Sequence, residues 1–182
     1  MKKLLTIILT FTFFVAQAQK VTTDVDESVD FTKYDSYQFL GWQDGSDNVM
    51  NDFDKKRMRD AFQSELKSRN LKLAESDGSL AISLYVVINK ETSITAYTNY
   101  HGGTGYGRRG RGWGSGHSST SYSESDYLKG TLVMDVFDSE TKELIWQGVA
   151  TGTVNEKPEK REKSIPKMIK KLMKKFPIKP AK

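Results

Sequence analysis

Gly102 to Gly116 is the stretch whose residue types most invite a chemical reading: eight glycines in fifteen residues, with Tyr106, Arg108, Arg109, Arg111 and Trp113 set between them. Three chemistries compete for it. Gly105-Tyr106-Gly107-Arg108-Arg109-Gly110 matches the letters GxGxxG. That pattern cradles a dinucleotide only where a strand precedes it and a helix follows, so that phosphate meets helix amides. More glycine follows here, so no cofactor is expected. Arginine, glycine and aromatics together can also stack on and neutralise single-stranded nucleic acid. An export signal at the start of the chain argues against that partner. His101 and His117 bracket the loop and are the two histidines of the chain. Two imidazoles without cysteine or a helical pair make a poor metal set, so no metal is expected. Two readings remain. One is a flexible insert at about 99–126, since lengthening a loop costs only ~0.6 kcal/mol per doubling. The other is a loop that touches a partner or glycan through Tyr106, Arg108, Arg109 and Trp113, types enriched at interface hot spots.

The export signal is residues 1–18. Lys2 and Lys3 precede a mostly apolar run from Leu4 to Val15, and Ala16-Gln17-Ala18 follows as a small-x-small cleavage site. The run is shorter than the ~20 apolar residues that span a bilayer, and no second such run follows. The expectation is cleavage before Gln19 and a mature chain outside the cytoplasm, in the periplasm or associated with the outer envelope. The chain has no cysteine, which excludes disulfides, thiol chemistry and an acyl anchor on cysteine.

Residues 19–182 suit one domain, since ~100–200 residues per domain is usual. Charge is unevenly spread. Asn155 to Lys182 holds eleven Lys/Arg against three Glu, while Gln19 to Val154 holds fifteen basic and twenty acidic residues. A basic tail on an acidic body suits either a solvated helix face or an anionic surface, the latter through Lys170, Lys171, Lys174 and Lys175 with Phe176 inserted.

Periodicity supplies the elements that must position these groups. Val21, Thr23 and Val25 alternate with polar neighbours, and Ser36–Leu40 is a second short strand. Met50, Phe53, Met58, Ala61, Phe62 and Leu66 fall near i, i+3, i+4, which predicts a helix over about 51–69. Asn51 or Asp52 can cap it, and Asn70 suits the left-handed residue that ends it. Leu80, Ile82, Leu84, Val86 and Ile88 alternate as the clearest strand. Residues 127–138 and 143–154 read as a hairpin. A final helix is predicted from Ser164, with Pro166 in its first turn and Pro177 at its stop. The order is ββαβββα. The expected class is α+β, a single domain with a mostly antiparallel sheet of about five strands, two helices on one face and a long Gly-rich loop.

At this spacing the chain resembles a known bacterial family. Val25-Asp26 followed by Asp30-Phe31-Thr32-Lys33-Tyr34-Asp35-Ser36-Tyr37 resembles the opening signature of the family called domain of unknown function 4136. Tyr127 to Asp138, then Leu144-Ile145-Trp146-Gln147-Gly148, is similar to its second signature, and Phe176-Pro177 fits its ending. The resemblance covers about residues 21–177. Many members look like lipoproteins, and this chain departs from them by lacking the cysteine. The family has no assigned activity, so the resemblance implies a fold and an exported envelope protein but no catalytic residues. Asp26 and Asp30 could form an acid/base or cation site. The simpler expectation is that Asp30 caps a turn, Asp26 sits at a rim, and Tyr34 and Trp146 are core.

No Ser-His-Asp order, metal pair or phosphate loop is legible, so no catalytic residue is assigned. The leading expectation is a non-catalytic binding or structural module of the envelope whose partner is a protein or polymer. A peripheral membrane protein that uses the basic last helix, and a hydrolase of envelope material with paired carboxylates, are the alternatives.

Overall fold

The computed structural model describes residues 19–43, 45–101 and 117–181. The expected export signal lies outside them. In chain order the elements are β1 (Lys20–Val25), a 3₁₀ turn (Phe31–Lys33), β2 (Ser36–Trp42), α1 (Ser46–Val49), α2 (Asp52–Lys67), β3 (Lys72–Leu73), β4 (Leu80–His101), β5 (His117–Asp138), β6 (Leu144–Thr153) and α3 (Pro158–Met173).

The main apolar alternation of the strands turns to one face, where the helices cover it. Leu80, Ile82, Leu84 and Val86 of β4 join Leu132, Met134 and Val136 of β5 and Trp146 and Ala150 of β6. Against them lie Met58, Phe62 and Leu66 of α2 and Ile165, Ile169, Leu172 and Met173 of α3. Phe176 closes this core edge-on to Trp146, with ring centroids 5.1 Å apart. On the opposite face Tyr85 is exposed and Val133, Asp135 and Val149 are half-buried.

The helix ends are held by side chains. Asn51 caps α2 by accepting from the Asp54 amide at 2.9 Å, and Asn70 takes the left-handed conformation after it with φ 62°. Buried Arg69 donates to the Met173 carbonyl at 2.8 Å and the Ile178 carbonyl at 2.9 Å, and to its own helix at the Glu65 carbonyl. Its cation thus answers the unpaired carbonyls that follow α2 and α3.

The sheet departs from expectation in two ways. It has six strands in the order β1-β6-β5-β4-β2-β3, and it is mixed. β2 runs parallel to both β3 and β4, while the β4–β5, β5–β6 and β1–β6 pairs are antiparallel. The cause is the helix between β2 and β4, which carries the chain back so that β4 starts at the same end as β2. Alternation marks a strand in the sequence but does not name its neighbour. A bulge between Phe39 and Gly41, with Gly41 at φ 106°, lets β2 follow β4 to Trp42.

Three element boundaries also move. β4 and β5 continue as paired strands to His101 and from His117, so residues 117–126, read from composition as part of a flexible insert, are strand. α3 begins at Pro158 rather than Ser164, because a proline at the first helical position loses no bond it would otherwise make. Pro166 therefore lies inside the helix, on its exposed side. The single-turn α1 and the two-residue β3 carry too few residues to show a period. Ser46 of α1 is fully buried and accepts from the Val86 amide at 2.9 Å, past the point where β2 stops pairing with β4.

Candidate functional site

The β4–β5 hairpin outruns its neighbours. β6 ends at Thr153 opposite Lys129, and β2 ends at Trp42 opposite Leu84. Beyond that point Lys90–His101 and His117–Leu128, twelve residues a side, pair with each other and, among the described residues, with no other strand, though the Val154 amide still donates to the Leu128 carbonyl at 2.8 Å. At ~3.4 Å per residue this is a ribbon of about 40 Å. Cross-strand contacts fix its register. Lys90 pairs with Asp126 at 2.6 Å, and Thr92 donates to the same carboxylate at 2.8 Å. Glu91 accepts from Lys129 and Tyr127, both at 2.8 Å, and these bonds hold its carboxyl below the ordinary range. Farther out Thr98 meets Thr120 at 3.3 Å.

Large apolar side chains stand on this ribbon in solvent: Ile94 63%, Tyr97 59% and Tyr122 72% exposed. Ala96 pairs with Tyr122, and Ile94 shares that face with Glu124 opposite it, while Tyr97, paired with Ser121, stands on the other face. The last described pair is His101 with His117. Tyr106, Arg108, Arg109 and Trp113 fall between these ends and lie outside the described residues.

At the base of the ribbon, on the face that the helices cover, is a cavity of about 270 Å³. Its walls are mainly apolar: Met50, Met58, Val86, Ile88, Leu128 and Met168. Its floor is the pair Gly130–Gly152, on adjacent strands, where two side chains are missing from an otherwise filled sheet face. Two charged residues, Asp54 and Arg161, stand at its side. Asp54 accepts from Arg57 at 2.6 Å and from Arg161 at 2.8 Å. Arg161 also donates to the carbonyls of Asn155 and Glu156. This cluster was not read from the sequence, because Asp54 and Arg161 are 107 residues apart.

A second buried charge sits at the other end of the sheet. Asp138, 5% exposed, accepts from the Tyr34 hydroxyl at 2.7 Å and from Lys33 at 3.1 Å. Its other oxygen accepts from the Glu140 and Thr141 amides. Chiefly the Tyr34 hydroxyl, with Lys33 and the two amides, holds its carboxyl well below the usual range against the opposing effect of burial. The group is a pinned anion that closes the β5–β6 turn. Burial, and after it the same bond to Asp138, raises the Tyr34 hydroxyl.

The aspartates singled out in the sequence are local. Asp30 accepts from the Thr32 amide at 2.9 Å as the cap of the 3₁₀ turn, and Asp26 accepts from the Ser28 amide and hydroxyl. Both carboxyls are exposed and lowered by these bonds. Tyr34 and Trp146 are core, at 7% and 1% exposure. On α3 and just after it, Lys170, Lys171, Lys174 and Lys175 are exposed, with Lys171 donating to the Gln19 carbonyl. Phe176 is fully buried, so it cannot insert into a membrane as the sequence reading allowed. No helix among the described residues is long and apolar enough to cross a membrane.

The family profile described as Domain of unknown function (DUF4136) matches residues 21–178. No curated protein matches the chain. Among solved structures, a PDZ domain protein from Parabacteroides distasonis superposes with a TM-score of 0.50 at 13% identity, over 88% of this chain and 36% of that one. The chain thus spans about a third of that protein's length. PelC from Paraburkholderia phytofirmans, solved as a dodecamer, gives 0.48 at 9% identity over 91% of this chain and 100% of that one. A minor lipoprotein from Acinetobacter baumannii gives 0.34 at 11% identity over 79% and 89%.

Proposed function

We propose that this chain, which belongs to the DUF4136 family of domains of unknown function, is an exported, non-catalytic binding module of the cell envelope. The ribbon carries the reading. A two-stranded ribbon is marginal on its own in water, and this one holds Ile94, Tyr97 and Tyr122 at 59% exposure or more. Ile94 and Tyr122 share one face of the ribbon and Tyr97 stands on the other, and large apolar side chains held in solvent mark a docking element. Both edges of the ribbon also present unpaired backbone groups that a partner strand can take up. Tyr106, Arg108, Arg109 and Trp113 lie in the chain between the ribbon's ends and extend the contact set. The partner is an envelope protein or polymer.

The test is site-specific photocrosslinking in cells. A photoreactive residue at position 97 or 122 gives a discrete adduct, while one at Lys67, on α2, gives none. Removing Gly102–Gly116, or changing Ile94→Lys with Tyr122→Lys, removes the adduct without unfolding the domain. Equal crosslinking from all three positions, or adducts that survive both changes, overturns the reading.

A second reading is peripheral attachment to an anionic membrane. It is favoured by Lys170, Lys174 and Lys175, exposed and without an ion pair among the described residues. Such binding is electrostatic and is screened over a Debye length of ~8 Å at physiological salt. Co-sedimentation with anionic vesicles that ignores both salt and charge reversal at 170, 171, 174 and 175 refutes it.

A further inference from the structure

The cavity beneath the ribbon is independent of the ribbon's own docking role. We propose that it binds a single-chain anionic amphiphile, with the alkyl tail between sheet and helices and the carboxylate against Arg161. Three observations converge on that chemistry.

The first is size. A void of about 270 Å³ lies just below the ~300–1,000 Å³ of drug-sized ligand sites. It has room for one chain and not for a two-chain lipid. The floor of the void is formed where two strands meet at glycine. Gly130 and Gly152 are paired on the helix-side face, between Leu132 and Ala150 on one side and Leu128 on the other. The space is not open to larger residues at Gly130, where an added Cβ would meet Val154 Cγ2 at 2.9 Å. Val154 lies over Gly130 and the Gln19 side chain over Gly152, and both form part of the wall.

The second is the lining. Met50, Met58 and Met168 contribute three thioether side chains to the wall. Unbranched and polarisable, methionine adapts to a flexible chain better than a β-branched residue does. Ile88 and Leu128 complete the apolar side, and Leu128 is still 37% exposed, so the tail has an entry at the ribbon base.

The third is charge. Asp54 sets one carboxylate against two guanidiniums, which leaves the cluster one positive charge in excess. Arg161 borders the cavity, and its Nε and Nη1 are taken by Asp54, Asn155 and Glu156. Its Nη2 makes no hydrogen bond among the described residues. A guanidinium offers donors in a fixed fork that suits a carboxylate. Asp54 holds the Arg161 side chain in place, 17% exposed, at the edge of an apolar chamber.

The experiment is calorimetric titration of the purified protein with dodecanoate below its micellar concentration, beside dodecyltrimethylammonium and acetate. Saturable binding of one dodecanoate per chain is expected. The cationic amphiphile binds at least tenfold more weakly, and acetate does not bind. Ile88→Trp fills the chamber and abolishes binding, and Leu128→Trp at the entry does the same should the first variant fold poorly. Asp54→Asn with Arg161→Gln removes both members of the pair and weakens dodecanoate at least tenfold. Three results overturn the proposal: no saturable binding, equal binding of the cationic amphiphile, or binding unchanged in a folded filling variant. Exclusion of dodecanoate from a protein that is dimeric in solution also overturns it, and would give the chamber to the ribbon of a second copy.

Discussion

Tyr34→Phe isolates one hydrogen bond on which the β5–β6 turn depends. The Tyr34 side chain lies in the core at 7% exposure, and its hydroxyl donates to Asp138 Oδ2 at 2.7 Å. Phenylalanine keeps the ring and its edge contact with Phe31 at 6.0 Å, so packing is conserved and only the donor is lost. Asp138 retains Lys33 and the two turn amides, so it is weakened rather than orphaned. A hydrogen bond to a charged group contributes about 1.5–3 kcal/mol. For a domain of this size each kcal/mol moves Tm by ~2–4 °C, which gives a loss of roughly 3–12 °C at pH 7. The pH dependence follows from the lowered carboxyl of Asp138. Such a group adds stability that is present above the unfolded aspartate value, ~3.9, and is lost as pH falls through the folded value. Without Tyr34 the folded carboxyl takes its proton at a higher pH than in the parent. The stability gap therefore stays level from pH 7 to about 4 and narrows below that. Urea midpoints followed by circular dichroism over pH 7 to 2.5 measure it. A gap under about 0.5 kcal/mol at pH 7, or one that widens toward acid, would refute the reasoning.

Other perturbations test other parts of the fold. In Gly148→Ala the new Cβ would meet the Trp146 ring and approach Leu172 Cδ1 to 2.8 Å. Overpacking of this kind costs about 1–3 kcal/mol and should show as a lower urea midpoint with unchanged slope. Asp54→Ala leaves Arg57 and Arg161 facing each other without their shared anion and removes the Asn51 contact at 3.1 Å. The expected loss is about 2–4 kcal/mol, with low salt making it larger. Native-state hydrogen exchange should separate the ribbon from the body. Amides of Thr92–Thr98 exchange through local opening, while those of Leu132–Val136 exchange only with global unfolding. Equal protection of both segments would mean that the ribbon is covered in solution.

Local chemistry was legible because it needs only neighbours along the chain. Asn51 caps α2, Asn70 ends it, and Asp30 caps a turn, each through an atom within three residues. The alternation over Leu80–Ile88 gave a strand and its buried face, since side chains two apart share a side. The order of signatures was enough to place the chain in its family. Serine-rich composition misled at 117–126, where pairing with 92–101 and the Lys90–Asp126 and Thr92–Asp126 contacts make strand of a segment with little apolar surface.

What the sequence by itself determined is therefore the type and apolar face of the longer elements and the caps of α2 and of the 3₁₀ turn, because these follow from backbone periodicity and short-range hydrogen bonds. Beyond the β5–β6 hairpin, only the tertiary structure decided which strands are neighbours, and with that everything a site requires. The parallel β2–β4 pair follows from a helix returning the chain. The free ribbon follows from β2 and β6 stopping short. The floor of the cavity is Gly130 meeting Gly152 across two strands. Asp54 with Arg161, and Tyr34 with Asp138, are joined across more than a hundred residues. No local period encodes such a meeting; it exists only once the core has closed and brought both ends to one place.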